Sequence, residues 1–207
     1  VGLFANPQMV LIDVNFLETL PGNEMRSGLA EMLKHGLIAD ISYWNQLKDL
    51  SNFTTDDLEL LIYHSISLKN NIVLADPFEK GERKKLNFGH TLGHALESYF
   101  LNNEKLPTLL HGEAIAVGMI LESHLSYQKQ YISEVFYTEI KKTIHSIFSK
   151  IELNQEDIDN CMSLLIHDKK NEAGRVNFTL IKENGTAVID EEVTKEMIVK
   201  SFIDYLS

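Results

Sequence analysis

Apolar residues recur at helical spacing from Asn23 onward, at Met25, Leu29, Met32, Leu33 and Leu37, so one face of an α-helix is set to be buried. The same period predicts helices over Ile41 to Leu50, from the capping candidates Thr54, Thr55, Asp56 and Asp57 to Leu74, and from about Asn87 to Phe100. Pro77 ends the second of these. Beyond a polar loop, Leu101 to Leu110, another helix starts at His111 and continues through AIAVGMILESHLS; Ser133 to Lys150, Asn154 to His167 and Val193 to Leu206 complete the helical set. Two stretches follow other rules. Met9 to Asp13 is a short continuous apolar run that reads as one buried strand, followed by VNFLETLP as a helical or turn segment that Pro21 stops. Near the other end, VNFTLIKENGTAVID places two β-prone runs on either side of Asn184 and Gly185, a strong hairpin signal. Without repeats, low-complexity tracts or linkers, residues 1–207 read as a single mainly α domain, multi-helical, with a short N-terminal strand and a C-terminal β-hairpin.

Composition narrows the function classes. With 44% hydrophobic and 24% charged residues in 207, the chain can bury a good core. A formal net charge of -11 excludes a general nucleic-acid binder, so any anionic ligand must be met by locally clustered Lys and Arg. The single cysteine, Cys161, excludes a disulfide framework and a cysteine-rich metal site; it reads as a small buried hydrophobe in a reducing compartment. No apolar run reaches the ~20 residues that span a bilayer, and VGLFANPQ lacks a charged leader and cleavage site. A soluble, cytoplasmic protein with no membrane partner is expected. The chain starts at Val1 inside what reads as a continuing element, as a fragment or processed piece would.

The chemistry concentrates in DPFEKGERKKLNFGHTLGHALE, Asp76 to Glu97, and in HGEAIAVGM from His111. His90 and His94 are four apart at a helix start and project from one face. His111 opens another helix, and Glu31 offers a carboxylate from an upstream one. A histidine by itself reads as an ordinary hydrogen-bonded residue; clustered with Gly89, Gly93, Arg83, Lys84, Lys85 and Asn87, these histidines suit an anionic substrate better than a core. Three His or carboxylate ligands with one open position is the pattern of a catalytic zinc site. On spacing alone, Glu31 and Lys34 read as a surface pair worth a few tenths of a kcal/mol, and Lys69 as an unremarkable lysine near a helix C-terminus. Gly112 and Gly118 lie inside a helix, where glycine costs about 1 kcal/mol against alanine, and close packing around a site would explain them.

DVNFLETLP, GLAEMLKHGLI, LKNNIVLADPFEKGERKKLNFGHTLGHALE, HGEAIAVGM and HDKKNEAG, in this order, resemble the C-terminal domain of the 3-dehydroquinate synthases over nearly the whole chain. The resemblance implies a divalent metal, zinc or cobalt, held by Glu31, His90 and His111, and it moves His94 from ligand to substrate contact. It also implies a substrate pocket lined by Lys34, Lys69, Arg83, Asn87, His94 and Lys169 or Lys170, with Glu79 nearby, and contacts to NAD from Phe16, Leu17, Glu18 and Thr19.

The implied reaction converts 3-deoxy-D-arabino-heptulosonate 7-phosphate to 3-dehydroquinate and phosphate. A ring hydroxyl is oxidised by NAD, phosphate is eliminated, the ketone is reduced again, and ring opening with an intramolecular aldol closes the carbocycle. The implied partners are a sugar phosphate, a second copy in a homodimer, and an N-terminal NAD-binding half. No glycine-rich turn after a strand supplies that half here. Two alternatives stay open: another sugar-phosphate cyclase on the same scaffold, and a truncated non-catalytic metal-binding or interaction domain.

Overall fold

A computed structural model describes residues 7–49, 55–167 and 176–207. Eight α-helices are described: α1 (Gly22–Ala39), α2 (Ile41–Leu47), α3 (Thr55–Ala75), α4 (His90–Leu101), α5 (His111–Gln128), α6 (Glu134–Ile147), α7 (Gln155–His167) and α8 (Lys195–Leu206). A 3-10 helix, Val14–Thr19, precedes α1, and a second, Glu82–Asn87, leads into α4. Strands β1 (Asn177–Lys182) and β2 (Thr186–Glu192) form one antiparallel hairpin.

The centre is α5. From Ala114 to Ser126 every residue is buried, which is what a helix that is apolar on all sides demands. It packs against α1, α4, α6, α8 and β1. The glycines set how closely. A Cβ on Gly112 would lie 2.3 Å from Ser27 Cα, and one on Gly118 would lie 2.0 Å from Gly89 O, so α5 crosses both α1 and α4 at backbone contact. At that second crossing Glu122, wholly buried, accepts the Gly89 N–H at 2.7 Å and the Leu92 N–H at 3.0 Å. Burial pushes its carboxyl up to about 8, against the backbone N–H groups of Leu92, Gly89 and Thr91, which favour the ionised form.

The hairpin closes through residues 183–185 rather than a two-residue turn: Lys182 pairs with Thr186, and Gly185 takes φ 72°, as a three-residue loop requires. A bulge between Phe178 and Leu180 lets Thr179 Oγ1 donate to Lys84 O at 2.9 Å, while Lys84 Nζ bonds both Asp190 carboxylate oxygens at 2.9 Å. β1 is itself tied to α5, Ile181 N–H donating to Ser126 Oγ at 3.1 Å. The hairpin thus braces the segment that enters α4.

Cys161 is buried, as expected of a small apolar side chain. The expected N-terminal strand is not formed. Residues 9–13 pair with no strand among the described residues, and Met9 (77% exposed) and Leu11 (84%) face solvent, so the run is not the buried strand expected of it. α2 also stops at Leu47, short of the expected Leu50. No described helix is long and apolar enough to cross a membrane.

Candidate metal and substrate site

Three helices converge on one point. The Gly112 crossing, where the Gly112 N–H also donates to Ser27 Oγ at 2.8 Å, seats the start of α5 beside the middle of α1. The Gly118 crossing seats α4 on α5. His90 and His94 of α4 and His111 of α5 then offer ligand atoms within 4.8 Å of one another, with ring centroids 5.1–5.7 Å apart. From α1, Glu31 Oε1 comes to 3.4 Å from His90 Nε2.

That last contact decides what the site can hold. His90 Nδ1–H donates to Phe88 O at 3.1 Å, which leaves Nε2 with its lone pair toward Glu31. Burial, and then the charge of Lys34, pushes the imidazole well below its usual range, so it is neutral. Glu31 Oε1 is buried with no hydrogen-bond partner. Two electron-rich atoms therefore face each other, about as far apart as two ligands on a tetrahedral ion with bonds of about 2.0–2.1 Å. A divalent cation fits that gap. His111 Nδ1 lies 3.3 Å from Glu97 Oε2, which takes up that nitrogen and leaves Nε2 to bind, the carboxylate–histidine arrangement common behind metal ligands.

Lys34 corrects the surface-pair reading. It is 2% exposed, and its ammonium donates to Glu31 Oε2 at 2.7 Å. Burial alone would raise the Glu31 carboxyl, but the Lys34 charge and hydrogen bond hold it well below the usual carboxylate range. Burial lowers Lys34 in turn, partly offset by Glu31. Lys69, exposed on α3, is close enough for its charge to depress both Lys34 and His35. Glu31, His35 and Lys69 share with Leu17, Leu29 and Met32 the wall of a largely apolar cavity of about 630 Å³.

The rest of the polar set lies on the way into α4. The Asp76 carboxylate accepts the N–H groups of Lys80 (3.0 Å), Gly81 (2.7 Å) and Arg83 (3.1 Å), folding this loop on itself. Arg83 Nη1 donates to Pro77 O at 2.9 Å, and Asn87 Nδ2 to Glu79 Oε1 at 2.8 Å. Glu79 holds φ 55°, an expensive conformation for a side-chain-bearing residue and one that tends to mark functional loops. Among Phe16, Leu17, Glu18 and Thr19 on the first 3-10 helix, Phe16 is 78% exposed and Leu17 lines the cavity. Lys169 and Lys170 lie outside the described residues. Two residues went unnoticed in the sequence: Glu97 behind His111, which carries no signal of its own, and Glu122, a lone charge inside the apolar run AIAVGMILESHLS.

His35 carries a pH prediction. Its Nδ1 is 2.7 Å from Ser65 Oγ, and burial, then the Lys34 charge, lowers it to about 4. The unfolded chain takes up this proton near pH 6.5. Between pH 6.5 and about 4 the unfolded state thus holds more protons, and stability from neutral His35 falls as pH falls through that window. The full effect is on the order of 3 kcal/mol. Glu122 pulls the other way between its unfolded value and about 8, so the quantity to read is the difference between wild type and His35→Gln in urea unfolding of metal-free protein at pH 7 and 4.5. The variant should lose less stability on acidification.

Residues 28–171 match the family model described as 3-dehydroquinate synthase C-terminal. The 3-dehydroquinate synthase of Parabacteroides distasonis is 41% identical over 212 residues, covering 99% of this chain and 58% of the relative. That of Acinetobacter baumannii is 36% identical, with 98% and 56% covered. The chain thus spans somewhat more than half the length of these relatives. Among solved structures, 2-epi-5-epi-valiolone synthase from Streptomyces hygroscopicus, with NAD+ and Zn2+ bound, superposes with a TM-score of 0.75 at 24% identity, covering 99% of this chain and 57% of that one; the likeness shows the fold. A 2-deoxy-scyllo-inosose synthase complexed with carbaglucose-6-phosphate, NAD+ and Co2+ also gives 0.75, at 25% identity, with 97% and 57% covered. The chain belongs to the family of 3-dehydroquinate synthase C-terminal domains.

Proposed function

We propose that the chain is the metal- and substrate-binding half of a homodimeric 3-dehydroquinate synthase, which turns 3-deoxy-D-arabino-heptulosonate 7-phosphate into 3-dehydroquinate and phosphate once an NAD-binding half completes it. The observation that carries this reading is the unpartnered, buried Glu31 Oε1 facing the neutral His90 Nε2 beside His111, with Lys34 buried against the same carboxylate. Glu31, His90 and His111 would hold zinc or cobalt. When bound, the ion supplies a Lewis acid that lowers the pKa of the substrate's hydroxyls.

The chain's own residues bind and orient. Lys34 presents a charge from a desolvated position, where it attracts an anion more strongly than it would in water. Lys69 and Arg83 meet the substrate's carboxylate and phosphate, Arg83 by exchanging its carbonyl contact for forked bonds to an anion. Asn87, held by Glu79, orients a hydroxyl or phosphate oxygen, and Lys169 or Lys170 adds a further cation. His94 is the side chain best placed to exchange a proton or hydrogen bond with substrate at the metal. Phe16 to Thr19 would touch NAD. The uncovered apolar strip at Met9–Ile12 supports a missing half that packs over this end.

A cyclase acting on another sugar phosphate is the second reading, favoured by the likeness to the 2-deoxy-scyllo-inosose synthase complexed with carbaglucose-6-phosphate. Both are tested by phosphate release from the heptulosonate phosphate with zinc and NAD, with the N-terminal half supplied in trans or fused. Turnover only with that half is the expected result. Turnover by the 207-residue chain alone would overturn the two-half reading. Release from a non-carboxylated sugar phosphate, with none from the heptulosonate, would favour the second reading.

A further inference from the structure

Glu122 is a carboxyl group in the middle of α5, the helix buried on every side, is itself wholly buried, and has no part in the roles above. A buried charge or carboxyl persists only where its surroundings compensate its desolvation. Here the compensation comes from another helix. The Gly89 N–H (2.7 Å) and Leu92 N–H (3.0 Å) each take one of its oxygens, and the Thr91 N–H also faces it. These groups belong to the first turn of α4, whose N–H groups have no partner within the helix.

Helix α4 has no side-chain cap of its own, because its N-cap is Gly89. That position has to be glycine: φ is 78°, and an added Cβ would meet Met119 Cγ at 2.7 Å. The cap is instead delivered by α5 one helical turn beyond Gly118, the residue that allows the two helices to touch. What the cap immobilises is the turn that carries His90. The His90 ring is oriented by the Phe88 carbonyl, on the residue just before the clamped Gly89.

We infer that Glu122 is a positioning residue: by clamping Gly89 and Leu92 from α5, it fixes the first turn of α4 so that His90 presents Nε2 to Glu31 before any metal arrives. This rests on the reading of His90 as a metal ligand. The consequence is preorganisation, in which affinity is gained because the ligand need not be ordered on binding.

The test compares Glu122→Gln and Glu122→Ala with Ile144→Ala, a core truncation on α6, a helix that packs on α5. Glutamine keeps the shape but puts an NH2, which cannot accept, where a carboxyl oxygen accepts a backbone N–H whether or not the group is protonated, so one of the two clamping bonds is lost. Two quantities are read: amide exchange at residues 89–92 in metal-free protein, and zinc affinity by chelator competition, with the visible spectrum of the Co2+ form as a check on ligand geometry. Glu122→Gln should speed exchange at 89–92 and weaken zinc by roughly 10–100-fold, the usual cost of losing an outer partner of a metal site. Glu122→Ala should do more, and Ile144→Ala should lower stability while leaving zinc affinity and the Co2+ spectrum as in wild type.

Unchanged exchange at 89–92, or a zinc affinity that follows global stability equally in Glu122→Gln and Ile144→Ala, would overturn the inference. So would failure of both Glu122 variants to fold while Ile144→Ala folds, since the carboxylate would then serve the whole fold. Wild-type protein that binds no zinc overturns it through its premise, and the exchange data distinguish that case from failure of the clamp.

Discussion

Glu31→Ala, His90→Ala and His111→Ala are each expected to abolish tight stoichiometric zinc, measured as metal retained after dialysis and by chelator competition, whereas His94→Ala should retain it and impair substrate handling. Each of the three losses should exceed the roughly 10–100-fold that removal of an outer partner costs. Glu31→Ala carries a second penalty. It leaves the Lys34 ammonium, 2% exposed, without its 2.7 Å partner, and an uncompensated buried charge costs about 3–5 kcal/mol. Glu31→Gln, which keeps a carbonyl oxygen near Lys34, should lose metal with less damage to the fold. The structure also offers the competing set, because His94 lies in the same 4.8 Å cluster as His90 and His111. What favours Glu31 is its buried oxygen without a hydrogen-bond partner. Loss of metal in His94→Ala together with its retention in Glu31→Ala would establish the three-histidine set instead.

Gly118→Ala is expected to cost more stability than any other single-methyl addition. Its Cβ would lie 2.0 Å from Gly89 O and 2.8 Å from Gly93 N, both backbone atoms of the α4 entry, so no side-chain rotation relieves the overlap. Over-packing typically costs 1–3 kcal/mol, and an unyielding backbone clash belongs at or above the top of that range. For a chain of this size, a loss of about 3 kcal/mol lowers the Tm by roughly 6–12 °C. Zinc affinity should fall with it, because the only relief is to move α4, and His90 moves with α4. Gly28→Ala is the contrast: nothing lies within 4 Å of the added methyl on α1, so helix propensity alone should make it neutral or stabilising by about 0.5–1 kcal/mol. Thermal melts of the two variants beside wild type check both. Equal, small shifts would mean that α4 and α5 adjust freely, and the case for a rigidly preassembled site would be lost.

Helix periodicity, the Asn184–Gly185 hairpin and the burial of Cys161 were legible in the sequence, because each depends on local spacing, turn geometry or side-chain size. So was the gathering of His90, His94 and His111 as a candidate site, since a four-residue step on a helix and a glycine-flanked helix start are local features. The Met9–Asp13 strand was misread for the converse reason: an apolar run specifies a strand only where another strand supplies its hydrogen bonds, and none does among the described residues. Spacing also could not rank Glu31–Lys34, whose worth depends on Lys34 being desolvated by helices distant in sequence. The same holds for Glu122, which is only an odd charge in an apolar helix until Gly118 brings the α4 entry into reach. Local spacing along the chain sets which helices form and which polar groups they carry; which of those groups lose water is set by packing, because desolvation depends on what crosses above a residue and not on its neighbours along the chain.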